Sequence, residues 1–262
     1  MVFRRLPRWA IVLPVMLALT ALPGCGSGAP AASTSAGGGA KEVTVFAAAS
    51  LTETFTELGK TFEAAHPGTT VRLNFGSSST LAQQIIQGAP ADVFASASPA
   101  TMKAVTDASL AGSPTTFVRN KLQIAVPAGN PAGVDELEDL TAPQVKVALC
   151  AEQVPCGAAA VKALDAAGLE VTPVTLEQDV KATLTKVELG EVDAALVYTT
   201  DVIASGGKVR GIAFPEAGQA VNDYPIAVLA EAPAGDPARR FVDLVLSPQG
   251  EDVLTKAGFE AP

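Results

Sequence analysis

The sequence predicts an α/β protein made of two groups of alternating strands and helices, each built on a mixed, mainly parallel sheet flanked by helices. Three observations carry this. Apolar strand patterns alternate with helical ones from residue 42 onward, and a second alternating set follows from about residue 145. Two further apolar stretches, 120–127 and 222–230, stand where the chain would cross between the groups. Direct comparison of the two sets finds no internal repeat.

The elements follow in order. EVTVFAAA, Glu42–Ala49, reads as a strand. Leu51, Phe55, Leu58 and Phe62 then recur at helical spacing and give one apolar face. Ser50 and Glu53 read as a capping box that starts this helix at Ser50, and His66-Pro67-Gly68 ends it. TVRLNF is a strand, STLAQQIIQG a helix stopped by Gly88, ADVFASA a strand and ATMKAVTDASL a helix. NKLQIAVPAG, Asn120–Gly129, is the first crossover candidate. In the second set VKVALC is a strand and GAAAVKALDAAG a helix ending at Gly168. DVKATLTKVELG is a helix capped by Asp179, and DAALVYTTDVIA a strand with a following turn or helix. NDYPIAVLA, Asn222–Ala230, is the second crossover candidate, and two helices close the chain.

Composition bounds what such a fold can do. The chain has 262 residues, of which 48% are hydrophobic and 17% charged, enough apolar material for substantial cores. A formal net charge of −9 argues against nucleic acid and against electrostatic attachment to acidic lipid. The N-terminus carries an export signal: Arg4, Arg5 and Arg8 precede the apolar run Trp9–Leu22, which is short for a membrane span and interrupted by Pro14. The run ends in LPGC, which resembles a bacterial lipobox, so residues 1–24 are expected to be cleaved and Cys25 lipidated. Ordinary signal-peptidase cleavage is the alternative. Removing 1–24 takes the net charge from −9 to −12. Residues 25–41, rich in Gly, Ala and Ser, read as a flexible tether to a membrane anchor on the extracytoplasmic face.

Export places the two remaining cysteines, Cys150 and Cys156, in an oxidising compartment, where a pair this close is expected to bond. A redox or metal pair is the alternative. With His66 as the chain's one histidine, a zinc site has little to build on.

In open parallel sheets, ligands sit beyond the carboxyl ends of strands, where helix N-termini offer unpaired N–H groups and partial positive charge. Ser50 lies at one such junction, and Ser77, Ser78 and Ser79 follow Gly76 at another. A single cap uses one serine; three give donors to spare, which fits an anion. VPCGAAA and EQDVKATL open two more helices, and Tyr198 ends a strand. Asp179 must turn its carboxylate onto helix N–H groups to sit beside an anion. A serine hydrolase is the reading from a different class. It lacks a GxSxG elbow, and His66 lies past the far end of the first helix from Ser50. Walker A and dinucleotide fingerprints are absent, and no cofactor is expected.

The blocks VFAAASLTETF, FGSSSTLAQQIIQGAPADVFASA, VPCGAAAVKAL, EQDVKATLTKVELGEVDAALVYTTD and FPE…YPIAVL together resemble the molybdate-binding receptors of bacterial ABC transporters, over nearly all of 42–262. The resemblance implies a two-lobed, type II-like periplasmic-binding-protein fold, with one lobe from 42–120 plus 222–262 and the other from 121–221. It implies an oxyanion held in the cleft by Ser50, Ser78, the N–H of Cys156, the N–H of Val180 and the hydroxyl of Tyr198. The metal would then be bound only as its oxyanion. Delivery to an ABC permease by a monomeric, lipid-anchored receptor follows from the same likeness.

The ligand chemistry agrees. Molybdate near neutrality is a tetrahedral dianion without a proton, so it needs donors only. Hydrogen bonds to a charged partner contribute roughly 1.5–3 kcal/mol each, and about seven suffice for sub-micromolar binding after association costs. Tungstate matches molybdate in size and charge and is expected to bind. Sulfate, the alternative ligand, is smaller, and phosphate usually carries a proton that wants an acceptor. Amino-acid and sugar ligands fit less well, the former for want of a paired Arg and carboxylate, the latter because aromatics are only 5%.

Overall fold

The computed structural model describes residues 41–262. The export signal, Cys25 and the tether up to residue 40 lie outside the described residues. Lys41, assigned above to the tether, opens the first strand, because its N–H bonds Gly68 O at 2.9 Å and it pairs with Thr69.

The first sheet is built from β1 (Lys41–Ala48), β2 (Thr69–Gly76), β3 (Val93–Ala95), β4 (Thr115–Asn120) and, from far along the chain, β10 (Asn222–Val228). Their order is β2-β1-β3-β10-β4. β1 runs parallel to β2 and β3, while β10 is antiparallel to β3 and β4. The second sheet takes β5 (Leu122–Pro127), β6 (Val147–Cys150), β7 (Thr175–Glu177), β8 (Ala194–Tyr198) and β9 (Val209–Ile212), ordered β7-β6-β8-β5-β9. β6 is parallel to β7 and β8, and β5 antiparallel to β8 and β9. The two sheets repeat one plan: three parallel strands, then an antiparallel pair. Sequence comparison misses this because it is a repeat of topology and not of residues.

Helices α1 (Thr52–Ala65), α2 (Ser78–Ile86), α3 (Pro99–Asp107), α7 (Gly235–Val245) and α8 (Pro248–Lys256) belong with the first sheet. α4 (Pro155–Ala167), α5 (Val180–Glu188) and α6 (Thr199–Ala204) belong with the second. The chain crosses between sheets twice. The first crossing is Lys121 alone, between β4 and β5, and the second is the segment 213–221 before β10. Asn120 and Asn222 pair across β4 and β10, so the two crossings lie side by side.

The periodicity read from the sequence holds in α1: Leu51, Phe55, Leu58 and Phe62 are all buried. Phe241 of α7 meets Phe55 and Phe62 edge-on, with centroids 5.9 and 5.6 Å apart. Aromatic edge-to-face pairs add about 0.5–1.5 kcal/mol each beyond the area they bury. The second lobe's core has another character, with Ile124, Val126, Val147, Leu149, Ala163, Leu184 and Leu196 filling it with aliphatic volume.

One local expectation is overturned. Ser50 does not cap α1. It lies in a 3₁₀ turn, Ala49–Leu51, and α1 begins at Thr52 with Leu51 at its N-cap and no side-chain cap bond. The reason is competition at long range: Ser50 Oγ is 2.9 Å from Tyr224 Oη of β10. A buried partner of this kind outbids a local N–H that solvent could satisfy.

Candidate functional site

Parallel register puts the carboxyl ends of β1, β2 and β3 at one edge, where Ala47 faces both Phe75 and Ala95. The chain leaves that edge through Ser50, Ser77 and Ser78. Likewise β6 and β7 end level at Cys150 and Glu177. Their continuations supply the first turns of α4 and α5, and β8 ends at Tyr198. These two edges face each other around a cavity of about 20 Å³, lined among others by Ser50, Ser77, Ser78, Cys156, Asp179, Val180 and Tyr198. One water centre needs about 10–15 Å³, so the space suits a very small ligand and not a sugar or an amino acid.

All five residues expected to hold the ligand line this one cavity. Cys156 is the second residue of α4 and Val180 the first of α5, so neither N–H has a partner within its helix. Ser78 opens α2, and its Oγ accepts the Ala97 N–H at 3.0 Å. Tyr198 Oη accepts from Asn222 Nδ2 at 2.7 Å. Burial pushes both Tyr198 and Tyr224 phenols well above their ordinary range, so both keep their protons at neutral pH. Asp179 caps α5 by accepting the Ala182 N–H at 2.9 Å through Oδ1, the orientation an adjacent anion requires. Ser77 Oγ is buried without a hydrogen-bond partner among the described residues.

Asn222 and Tyr224 were not singled out in the sequence as site residues. Their signal was there, polar side chains at the start of the otherwise apolar stretch NDYPIAVLA, but their role depends on contacts 24 and 174 positions away.

No Lys or Arg lines the cavity. Lys181, next to Val180, is held elsewhere: its Nζ lies 2.9 and 3.0 Å from the Glu53 carboxylate and 3.3 Å from Asp201 Oδ1. Burial pulls the Lys181 pKa down, but Asp201 and Glu53 outweigh it and raise it overall. Glu53 lies on α1 and Lys181 on α5, so this pair links the lobes, as does the Ser79 Oγ bond to Gln153 O at 2.7 Å.

Asp201 is fully buried, and desolvation raises its pKa from 3.8 to about 6, against the opposing pull of Lys181 and the Tyr198 N–H. Between these values the unfolded carboxyl has lost a proton that the folded one retains, so stability falls as pH rises through this window and stays lower above it. The full effect is about 3 kcal/mol at most. Asp201→Asn is expected to flatten this slope, so that its melting temperature gains on the parent's between pH 4 and 6.5. Parallel melting curves of parent and variant across that range would contradict the assignment.

Cys150 and Cys156 form a disulfide. It ties the end of β6 to the first turn of α4, and Cys150 Sγ also touches Thr183 Oγ1 of α5 at 3.2 Å. A loop this short contributes about 2 kcal/mol by chain entropy. Replacing both cysteines by alanine is expected to lower the melting temperature by about 4–8 °C, as scanning calorimetry would read.

Two crossover-joined lobes with a small, donor-lined cavity between them are the architecture of a solute receptor. The chain belongs to the bacterial extracellular solute-binding protein family, whose model matches residues 43–260. It is 44% identical over 243 residues to the molybdate-binding protein ModA of Mycobacterium tuberculosis, covering 92% of this chain and 93% of that one. Among solved structures, it resembles the substrate-binding domain of a putative molybdenum ABC transporter from Clostridium difficile, with a TM-score of 0.63 and 27% identity over 84% of this chain and 99% of that one. The Azotobacter vinelandii periplasmic molybdate-binding protein shares the fold, with a TM-score of 0.73 at 22% identity over 84% of this chain and 99% of the other. Among the described residues no helix is long and apolar enough to cross a membrane.

Proposed function

We propose that this protein is an extracytoplasmic receptor that captures molybdate, and tungstate with it, and hands the ion to an ABC permease. The observation that carries the reading is the convergence of Ser50, Ser78, Cys156, Val180 and Tyr198 on one small cavity without a cationic side chain. Neutral donors around a dianion give binding that depends on geometry, where a lysine would attract every anion. The names of the 44% identical mycobacterial relatives point the same way.

The protein acts by binding and not by turnover. The one histidine bonds Phe62 O through Nδ1 at 2.9 Å and stacks on the Phe62 ring, at the end of α1 away from Ser50 and Ser78. Among the described residues no histidine lies beside either serine. The lobes are 42–120 with 222–262, and 121–221. They close about the two adjacent crossings. With residues 1–24 cleaved, a lipid on Cys25 would hold this monomeric receptor at the extracytoplasmic face of the cell membrane.

Calorimetry on the full chain with molybdate, tungstate, sulfate and phosphate tests the proposal. Tight binding of the two larger dianions, weak binding of sulfate and none of phosphate is the expected result. Equal affinity for sulfate and molybdate would defeat the size argument and make the protein a general receptor for tetrahedral dianions.

A further inference from the structure

The side-chain bonds that join the two lobes fall into two sets. Asn120, Lys121 and Asn222 make theirs at the crossings, to Thr200, Glu260 and Tyr198. Motion about the crossings disturbs these least. The remaining bonds among the described residues are Ser79 Oγ to Gln153 O at 2.7 Å, and Lys181 Nζ to the Glu53 carboxylate at 2.9 and 3.0 Å. Both join elements on opposite sides of the cavity, so neither survives if those sides part.

Each of these four residues stands within three positions of a proposed ligand group on its own lobe. Glu53 follows Ser50 by three, and Ser79 follows Ser78 directly. Lys181 follows Val180 directly, and Gln153 precedes Cys156 by three. Gln153 also lies inside the loop that the Cys150–Cys156 disulfide closes, which restrains its carbonyl. A ligand that draws the two sets of donors together brings both pairs into reach.

Lys181 shows which partner is gained on closure. It is the second residue of α5, where the helix dipole disfavours a cation. From its own lobe it is held by Asp201, whose Oδ1 lies 3.3 Å from Nζ and whose Oδ2 accepts the Tyr198 N–H at 3.2 Å. Asp201 stays whether or not the lobes meet. Glu53 reaches Lys181 from the other lobe.

We propose that Glu53–Lys181 and Ser79–Gln153 form a two-point latch across the cleft that slows release of the bound ion without taking part in its capture. The inference rests on the receptor reading above and adds to it the residues that set the residence time. None of the four lines the cavity, so they are positioning residues and not ligand contacts. A partly exposed ion pair and one neutral hydrogen bond favour the closed form by a factor on the order of ten. The latch therefore reinforces a closure driven by the ligand and does not replace it.

Glu53→Gln and Ser79→Ala test this, since neither strands a buried charge. Lys181 keeps Asp201, and Gln153 is exposed. On the full chain, calorimetry with molybdate gives the dissociation constant, and release of radiolabelled molybdate into excess unlabelled ion gives the off-rate. Together they give the on-rate. Glu53→Gln is expected to speed release about two- to fivefold and Ser79→Ala about two- to tenfold, with on-rates close to the parent's. Added salt is expected to quicken release from the parent and from Ser79→Ala but not from Glu53→Gln, because the ion pair is what salt screens. Parental off-rates in both variants, or a loss of affinity carried by the on-rate, would overturn the latch. A parent protein that binds no tetrahedral oxyanion would overturn the receptor reading, and the latch with it.

Discussion

A chain carrying Ser78→Ala is expected to bind its oxyanion about 10- to 150-fold more weakly, the loss of one hydrogen bond to a charged partner. The residue is 1% exposed, and the Ala97 N–H that it accepts would be left without a partner, so some folding stability should go as well. Ser50→Ala is expected to cost a second such bond, from the same lobe. The double variant is expected to depart from the product of the two single factors, since both hydroxyls line one cavity and would share one ligand. Titration calorimetry gives the affinities, and melting curves show how much of any loss is unfolding. A Ser78→Ala chain that is folded and binds within threefold of the parent would remove Ser78 from the ligand shell.

The second large effect is expected at Gly157. A Cβ there would stand 1.9 Å from Ala151 O and 2.7 Å from Cys150 O, both backbone atoms. Those atoms cannot retreat easily. The Ala151 N–H bonds Glu177 O at 2.9 Å, and Cys150 is tied to Cys156 by the disulfide. Gly157→Ala must therefore push the first turn of α4 off the loop and carry the Cys156 N–H with it. Overpacking of this kind costs about 1–3 kcal/mol of stability, occasionally more. Displacing that N–H and upsetting one neighbouring donor removes about 3–6 kcal/mol of binding, a loss of more than about 100-fold. Calorimetry at a temperature where the variant remains folded measures this directly, and near-parental affinity would show that α4's first turn is not a fixed part of the site.

Most of the fold is written locally enough to be read from the chain. The α1 face, the alternation of strands and helices, and the serines at two strand ends all follow from spacing and small-residue runs. The Asp179 cap was legible for the same reason, since its partner is three residues away. The strands β4, β7 and β9 were not, because three to six residues, several of them exposed, carry too little pattern to separate a short edge strand from a loop. The start of α1 was misplaced where a distant group, Tyr224, took the hydroxyl that sequence logic gives to the cap. Asn222 and Tyr224 were invisible as site residues because nothing in a strand's sequence says what its ends meet across a fold. The donors that touch the ligand cavity are therefore readable, and the groups that aim them are not.

Tyr198 and Tyr224 are the chain's two tyrosines, and their rings meet edge-on at 6.1 Å beside the cavity. The one tryptophan, Trp9, lies in the segment expected to be cut away on export. A chain without residues 1–24 thus has no indole to mask or drain phenolic emission. Its near-ultraviolet fluorescence comes from two rings, both next to the cavity and one on its wall, so occupancy can be followed optically without attaching a dye.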